Sequence, residues 1–447
     1  MHCQKDYIIM NLRRIATILS VCTAMAAMSQ ESSEAWSLKQ CIEYAHTHNI
    51  SIGQSRLSVE RSAVDLHEAK EELFPSLSFS TSHDYSQSPY ADNPTESAAI
   101  YNGSYRISAS WTLFDGGQRY YNIKSNRLAR QEQELSAQET AYEIEMEILS
   151  LYLQILYARE SIDICKQSLA VSEEQESRGK ALFDAGSISK SDYSQLVAQC
   201  ANDRYQVVTA SAQADLLLVE LKQLLNIDLD SDFDITEPSF DIEEILAPLP
   251  DRYTVLATAM KSWPGIRQSQ VAEEIAALDI KSAQSGYYPT ISLTAGLSTG
   301  TMSGNGVWGD QMKANFGESA GISLTLPLYD NGKTRAAVAR ARIEALNTTY
   351  TREEKENSLA RTIESTFLDA RSAQEQYKAA QENALATADA YELIAEQFRL
   401  GIKNAFEMLS AQNDLLQARQ EALQAKYMAL LNRKLLEFYN NTPITLE

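Results

Sequence analysis

The segment Lys333–Leu400, KTRAAVARARIEALNTTYTREEKENSLARTIESTFLDARSAQEQYKAAQENALATADAYELIAEQFRL, decides the fold of this chain. It contains neither glycine nor proline, and it directly follows Leu326-Pro-Leu-Tyr-Asp-Asn-Gly332. Along its second half, small and apolar residues recur every three or four positions, which is the spacing of a coiled-coil seam. These positions are Leu359, Ile363, Phe367, Ala370, Ala373, Tyr377, Ala380, Ala384, Ala388, Tyr391, Ile394 and Phe398. At 1.5 Å per residue the predicted helix is about 100 Å long, which is too long for an ordinary globular domain.

A second helix of the same length is predicted at Gln118–Ala185, after a similar turn sequence. The interval from Phe114-Asp-Gly-Gly117 to Gly186 equals the interval from Tyr329-Asp-Asn-Gly332 to Gly401. Gly186 and Gly401 each end a long helix, and polar capping residues follow them, so each predicts a helical hairpin. Because the spacing is kept across two helix boundaries, the sequence indicates an internal duplication.

Two segments precede each long helix and have a period of two residues. Apolar and aromatic side chains alternate with serine and threonine in 76–86, 100–113, 290–299 and 318–328. One apolar face and one hydroxyl-rich face over about ten residues is typical of a transmembrane β-strand, with lipid outside and water inside. A half-buried strand on a soluble sheet is the alternative for each segment taken alone.

The N-terminus has the features of a secretion signal. Positive charges at Lys5, Arg13 and Arg14 precede an apolar run from Ile15 to Met28, which is too short to remain as a membrane span. Cys22 leaves lipidation open. The predicted organisation begins with a signal peptide at 1–26 and a first repeat at 27–226, which has helices at 37–73, strands at 76–86 and 100–113 and a hairpin at 118–226. An acidic linker or equatorial segment follows at 227–251. The second repeat at 252–440 has helices at 252–286, strands at 290–299 and 318–328 and a hairpin at 333–440, and a tail follows at 441–447.

The net charge of −21 argues against nucleic acid as a partner, because a polyanion would be repelled. The charge is equally consistent with the solubility of a long exposed surface and with a field that selects cations in a lumen. Cys41, Cys165 and Cys200 are too widely spaced for a disulfide framework or a metal site, and we expect buried, inert thiols. We find no catalytic constellation in the sequence, so we predict neither an enzyme nor a cofactor.

Four strands cannot form a closed barrel alone, and open strand edges in a membrane leave backbone groups without partners. Two copies give about eight strands and a filled interior, whereas three give about twelve and leave room for solute. The prediction is therefore a homotrimer, mainly α with a small β part. Its membrane barrel is continued by a long helical barrel, although periodicity alone also allows a filled helical bundle.

The chain resembles the TolC-type outer-membrane efflux protein family over essentially its whole mature length. The resemblance rests on the order and duplication of the Trp36–Asn49 opening, the strand starts Phe74-Pro75 and Tyr288-Pro289, the two strand-to-helix turns and the two hairpin turns. It implies a trimeric 12-stranded barrel in the outer membrane of a Gram-negative bacterium and an α-helical tunnel in the periplasm. It further implies that the hairpin tips dock on a periplasmic adaptor protein, which joins the duct to an inner-membrane pump. A secreted coiled-coil spacer or adhesin with a soluble β head is the alternative function.

The resemblance also identifies candidate residues at the tips. Asp192 and Glu407 are candidates for acidic rings at the periplasmic entrance, and by position Lys403 can latch to Ser191 or Asp192 of a neighbouring hairpin. Phe398 completes the gate candidates, and the candidate adaptor contacts are Gly186, Ser187, Ile188, Gly401 and Ile402. The alternative role of the two acids is to support the first turn of a return helix through its dipole. Ser410 stands where well-known members have a second acid, which leaves the position of the constriction open.

Overall fold

The computed structural model describes residues 35–87, 100–238, 240, 242–303 and 306–446. In chain order the elements are α1 (Leu38–His48), α2 (Ile50–Glu71), β1 (Ser76–Ser86), β2 (Ile100–Asp115), α3 (Gln118–Asp184), α4 (Lys190–Leu225), α5 (Ile242–Leu246), α6 (Arg252–Ser262), α7 (Pro264–Ser285), β3 (Thr290–Met302), α8 (Trp308–Ala314), β4 (Gly317–Thr325), α9 (Lys333–Arg399) and α10 (Ala405–Tyr439). The chain is thus mainly helical with a small β part. The predicted signal peptide and Cys22 lie outside the described residues. Across the described ranges, no helix is both long and apolar enough to cross a membrane.

The two long helices, α3 and α9, each contain 67 residues and begin in the same way. The residue before each is a left-handed glycine, with φ of 91° at Gly117 and 75° at Gly332. Gly117 is the N-cap of α3 and has no side chain to cap the helix. The Asp115 carboxylate still accepts from the Gly117 amide at 3.1 Å, and Asp330 likewise accepts from the Thr334 amide at 2.7 Å. The glycine turn therefore brings an earlier carboxylate to the free N–H groups of the first helical turn.

The four strands form one antiparallel sheet in the order β1-β2-β3-β4. β4 was predicted to reach residue 328 but ends at Thr325, because its partner β3 begins at Thr290 and that pair is the last. β2 was predicted to end at residue 113 but continues to Asp115 through a register shift between Thr112 and Phe114. This bulge places one unpaired residue in the strand, which interrupts the period of two.

The alternation along the strands gives the sheet two different faces. One face is apolar and exposed, with Phe79 at 66 % and Ile107 at 42 % of their accessible surface. The other face is lined by hydroxyl groups, and Ser78 Oγ lies 2.9 Å from Ser108 Oγ on the neighbouring strand. The single chain thus leaves an apolar face and two sheet edges uncovered.

The helices pair along α3 and α9 in two levels. α2 and α4 lie along successive parts of α3, and α7 and α10 lie along successive parts of α9. α7 also joins the two halves, because Arg352 of α9 bonds Glu273 of α7 at 3.0 Å and Ser282 of α7 donates to Asn122 of α3 at 3.1 Å. Each long helix is therefore accompanied by two shorter helices end to end.

The linker between the repeats is folded against both of them. The buried hydroxyl of Tyr152 on α3 donates to the carbonyl of Thr236 at 2.7 Å and lies 3.2 Å from the carbonyl of Trp36. Further along, the side chain of Gln374 on α9 donates to the carbonyl of Ile245 in α5 at 2.8 Å. The main hydrophobic core surrounds Tyr152 and includes Leu149, Leu153, Leu221, Leu225, Ile235 and Leu430.

The segment between β3 and β4 and the three described cysteines can also be compared with the predictions. Between the predicted strands of the second repeat, where no helix was predicted, lies α8, and the Gln311 side chain bonds the backbone of Met302 at 2.7 and 3.0 Å. Cys41, Cys165 and Cys200 are free and buried, as predicted. Burial raises the pKa of the Cys200 thiol to about 11, which keeps it protonated and unreactive at neutral pH.

Candidate functional site: the hairpin tips

Both hairpins turn through the same hydrogen-bonded motif. Gly186 and Gly401 follow the ends of α3 and α9 with φ of 74° and 72°. At the first tip the amide of Ser187 donates to the carbonyl of Leu182 at 2.8 Å; at the second the Ile402 amide donates to the Gln397 carbonyl at 2.9 Å. Together with the glycine amide bonds, these contacts make Schellman motifs, which need a left-handed residue after the helix. The two predicted turn glycines therefore fix how each long helix ends.

The two predicted acids stand at equivalent positions in the return helices. Ser189 caps α4, and its hydroxyl accepts from the Asp192 amide at 3.1 Å while the Asp192 carboxylate accepts from Ser189. Asn404 caps α10 in the same reciprocal way with Glu407, whose amide lies 2.9 Å from the Asn404 side chain. Each acid is thus the third residue of its helix and forms a capping box with the N-cap residue. This is the local role that the alternative for these acids predicted.

The second tip also holds an ion pair. The Lys403 ammonium donates to the Glu407 carboxylate, one helical turn away. That hydrogen bond, followed by the one from the Asn404 amide, lowers the pKa of Glu407. Glu407 is therefore ionised at neutral pH, and within one chain the Lys403 ammonium is held by Glu407 rather than by Ser191 or Asp192.

The tips of the two hairpins lie side by side. Leu196, Met408 and Leu409 form a small buried cluster with Ile188, Ile394 and Phe398 packed against it. Phe398, predicted as a gate residue, and Ile188, predicted as an adaptor contact, are therefore partly buried between the hairpins. Ser191 is exposed, and so is Ser410, which supplies no charge where a second acid was expected.

The outermost surface of the tips is apolar. Ile402 exposes 68 % of its surface and the neighbouring Leu400 and Phe406 expose 67 % and 69 %. Ile402 was predicted from the sequence as an adaptor contact, whereas Leu400 and Phe406 were not predicted. The available signal was their position close to Gly401, since a large apolar side chain at a solvent-exposed turn has no core to enter.

The described residues contain no group of three or more histidine, cysteine, aspartate or glutamate side chains that could hold a metal ion. What the tips offer is a paired turn with exposed apolar residues and one acid per hairpin. Repeated around a symmetry axis, such acids favour cations at a constriction.

The comparisons with known proteins agree with this architecture. The family model described as "Outer membrane efflux protein" matches residues 41–226 and 255–439, one segment for each repeat. Outer membrane protein TolC of Escherichia coli K12 is 23 % identical over 417 residues, which cover 90 % of this chain and 81 % of TolC. Outer membrane efflux protein BepC of Brucella suis is 24 % identical over 447 residues, covering 93 % and 88 %.

A solved structure of CusC superposes with a TM-score of 0.77 at 17 % identity, covering 93 % of this chain and 96 % of CusC. At this identity the superposition shows the fold, with its helical tunnel and β-barrel. The family match covers both repeats and so decides between the two functions that the sequence left open, in favour of an outer-membrane channel rather than a secreted spacer. The chain belongs to the outer membrane efflux protein family.

Proposed function

We propose that three copies of this chain assemble into an exit duct that conducts solutes passively across the periplasm and the outer membrane. The observation that carries the proposal is the four-stranded sheet, which has an exposed apolar face and whose outer strands, β1 and β4, each pair on one side within the chain. In hydrocarbon, unpaired strand edges cost several kcal/mol per group, so copies must pair β4 with β1 until the sheet closes. Three copies give about twelve strands, enough for an open lumen.

The helical part supports a hollow tube in register with that barrel. α3 and α9 begin directly below the strands and run about 100 Å to the tips. Small residues in the seam of α9, such as Ala370 and Ala373, permit close contact between helices. A duct of this kind needs no catalytic group, and we propose no enzymatic role.

We further propose that the tips bind a periplasmic adaptor protein, and through it an inner-membrane pump. The proposed docking surface consists of Gly186, Ser187, Ile188, Gly401 and Ile402, with Phe406 added from the structure. It is supported by the exposure of Ile402 and Phe406, which has no evident use within one chain. An apolar patch on a solvent-exposed turn is typical of a protein interaction site.

The acids at the tips are proposed to shape the entrance. Three copies of Asp192 would concentrate cations there, and three copies of Glu407 would add to the field when Lys403 turns from Glu407 to the latch on a neighbouring hairpin. Ser191 and Phe398 lie on the same level and are proposed to complete the gate. Replacing both Lys403 and Asp192 by alanine tests the predicted latch between neighbouring hairpins. A rise in single-channel conductance supports the latch, and unchanged conductance contradicts it.

The duct itself is tested with the full-length protein. Expressed in a Gram-negative host, it should fractionate with the outer membrane, require detergent for extraction, and migrate as a heat-modifiable trimer. In planar lipid bilayers the purified trimer should conduct ions. Recovery as a soluble monomer, or a trimer that carries no current, would overturn the proposal.

A further inference from the structure

A buried carboxylate connects the two hairpins above the tips. Asp203 of α4 is 1 % exposed and lies about 25 Å along the helix from the turn at Gly186. Its Oδ2 accepts from the Ser172 hydroxyl and from the Ser168 hydroxyl at 3.3 Å, and its Oδ1 accepts from Gln199 Nε2 at 2.9 Å. These donors belong to α3 and α4 of the first hairpin.

The fourth donor comes from the second hairpin. Gln412 of α10 is 4 % exposed, and its Nε2 lies 2.7 Å from Ser172 Oγ and 3.4 Å from Asp203 Oδ2. The Gln412 side-chain carbonyl has no hydrogen-bond partner among the described residues. Gln412 is the residue of the second hairpin that reaches Asp203 itself, and its neighbour Asn413 accepts from Gln199 Nε2 at 3.0 Å at the edge of the network.

All four donors to Asp203 are neutral side chains. A buried charge is tolerated when hydrogen bonds surround it, and removal of a donor leaves part of that charge uncompensated. Displacing α10 from α3 and α4 would remove the Gln412 donor from Asp203 and Ser172. The network thus favours one position of the second hairpin against the first.

The duplication shows that hairpin packing does not by itself require this carboxylate. When Gly186 is aligned with Gly401, the position in the second repeat that is equivalent to Asp203 is Ala418, which is 3 % exposed. The same place between two paired helices is thus filled by a methyl group in one hairpin and by a carboxylate in the other. The charge is present where it can contact the other hairpin.

A small apolar cluster and a cavity lie beside this network. Towards the tips lies the small cluster that contains Leu196 and Met408. Next to the network lies a cavity of about 150 Å³, lined by Ser168, Gln412 and Tyr391 among others. The cavity leaves apolar residues of both hairpins, such as Val171 and Leu415, incompletely packed beside Gln412, so its hydrogen bonds add to a weakened apolar contact.

We propose that Asp203 is a positioning residue for the entrance: through Gln412 it holds the second hairpin against the first and so keeps the tip end of the duct narrow. This inference rests on the proposed function as a duct. A two-state equilibrium between a seated and a displaced second hairpin follows, and Asp203 biases it towards the seated state.

The test uses the full-length trimer in planar lipid bilayers. Asp203→Asn keeps the shape of the side chain but removes the charge that Gln412 and the serines stabilise. Hydrogen bonds to a charged group shift a two-state equilibrium by about ten- to one-hundred-fold each, so the fraction of time in the high-conductance state should rise by that order. Asp163→Asn is the matched control, because this carboxylate on α3 is 71 % exposed and pairs only within its own helix, with Lys166.

Two further variants test whether the network itself, and not the single position, sets the conductance. Asp203→Ser together with Ser172→Asp returns a carboxylate and a hydroxyl to the network and should restore low conductance. Gln412→Ala leaves the first hairpin intact and should also raise conductance, so it gives the answer if the Asp203→Asn trimer does not assemble.

The inference is overturned if the wild-type trimer conducts but neither Asp203→Asn nor Gln412→Ala changes its conductance. It is also overturned if these variants only lower the melting temperature of the trimer, because that is what a purely structural role predicts. Absence of conductance in the wild-type trimer contradicts the proposed duct instead, so the two failures are distinguishable.

Discussion

A lysine placed on either face of β2 tests the orientation of the sheet in the membrane. Ile107 and Ser108 are adjacent residues at the centre of the 16-residue strand β2, so they share a depth but point to opposite faces. Ile107 belongs to the apolar face beside Phe79 and Leu297, and Ser108 contacts Ser78 on the hydroxyl face. If the apolar face meets lipid, Ile107→Lys places an ammonium group in hydrocarbon, whereas Ser108→Lys places it in the aqueous lumen.

The expected difference is large. A lysine on the lipid face near the bilayer midplane costs about 2–4 kcal/mol, which three chains raise to about 6–12 kcal/mol per trimer. Ser108→Lys loses the hydroxyl contact with Ser78, worth about 1 kcal/mol per chain. We expect urea unfolding in lipid vesicles to show this difference, and Ser108→Lys alone to reduce cation conductance.

Two results would contradict the assignment of the apolar face to lipid and the hydroxyl face to the lumen. If Ser108→Lys destabilises the trimer as much as Ile107→Lys does, the two faces have the same environment, and the assignment of lipid and lumen fails. If Ile107→Lys has no effect on unfolding, the apolar face does not contact hydrocarbon.

Three further predictions concern the helical part. Gly401→Ala forces a left-handed residue to carry a side chain and should destabilise the tip by about 1–2 kcal/mol, which is measured as a fall in the thermal midpoint of the trimer. Gly53→Ala is the control, because Gly53 lies inside α2 with open space where the Cβ would be, and it should stabilise the helix by about 0.5–1 kcal/mol. Because Glu407 has a lowered pKa in the folded state, its contribution to stability is present above the unfolded value near pH 4.5 and is lost as the pH falls through the folded value. The thermal midpoints of the wild type and Glu407→Gln should therefore differ at pH 6 and converge as the pH falls below 4.5 and through the folded value, and a constant difference would contradict the pairing with Lys403. Tyr152→Phe removes the hydroxyl that bonds the Thr236 carbonyl and should cost about 1–3 kcal/mol in urea unfolding, with faster hydrogen exchange in residues 232–238; unchanged exchange there would show that this hydroxyl does not anchor the linker.

The repeating parts of the fold were predictable because they depend on local sequence. A helix without glycine or proline and a strand of alternating residues each carry their period within a short window, so α3, α9 and the four strands could be located. Gly179, the one glycine inside α3, has a tertiary cause instead: a Cβ there would clash with Leu196 Cδ1 of α4. A larger residue at that point would have to displace the buried Leu196 side chain, so glycine favours this packing of the first hairpin.

The parts that were missed depend on contacts between distant residues. α8 is a helix of seven residues, too short for a period, and it is held by Gln311 at the end of β3. Asp203 and Gln412 are 209 residues apart, and each looks like an ordinary polar residue of a surface helix until the hairpins are placed together. At the tips the sequence identified Asp192 and Glu407 and predicted a serine cap after Gly186, which is Ser189, whereas the capping role of Asn404 is seen only in the structure.

The two repeats differ at the tips in ways that bear on how the proposed duct opens. Two copies of one hairpin would form a tube of equivalent parts, in which no hairpin is distinguished as the one that moves. Equivalent positions differ near the tips: Ile188 corresponds to Lys403, and Asp203 to Ala418. The first hairpin presents a partly buried apolar residue and a buried acid, whereas the second presents a partly exposed ion pair and contributes the Gln412 and Asn413 side chains to the network. The two hairpins are therefore not equivalent at the entrance, and within the proposed duct the contacts of Lys403 and Gln412 are the ones that a displacement of the second hairpin would break.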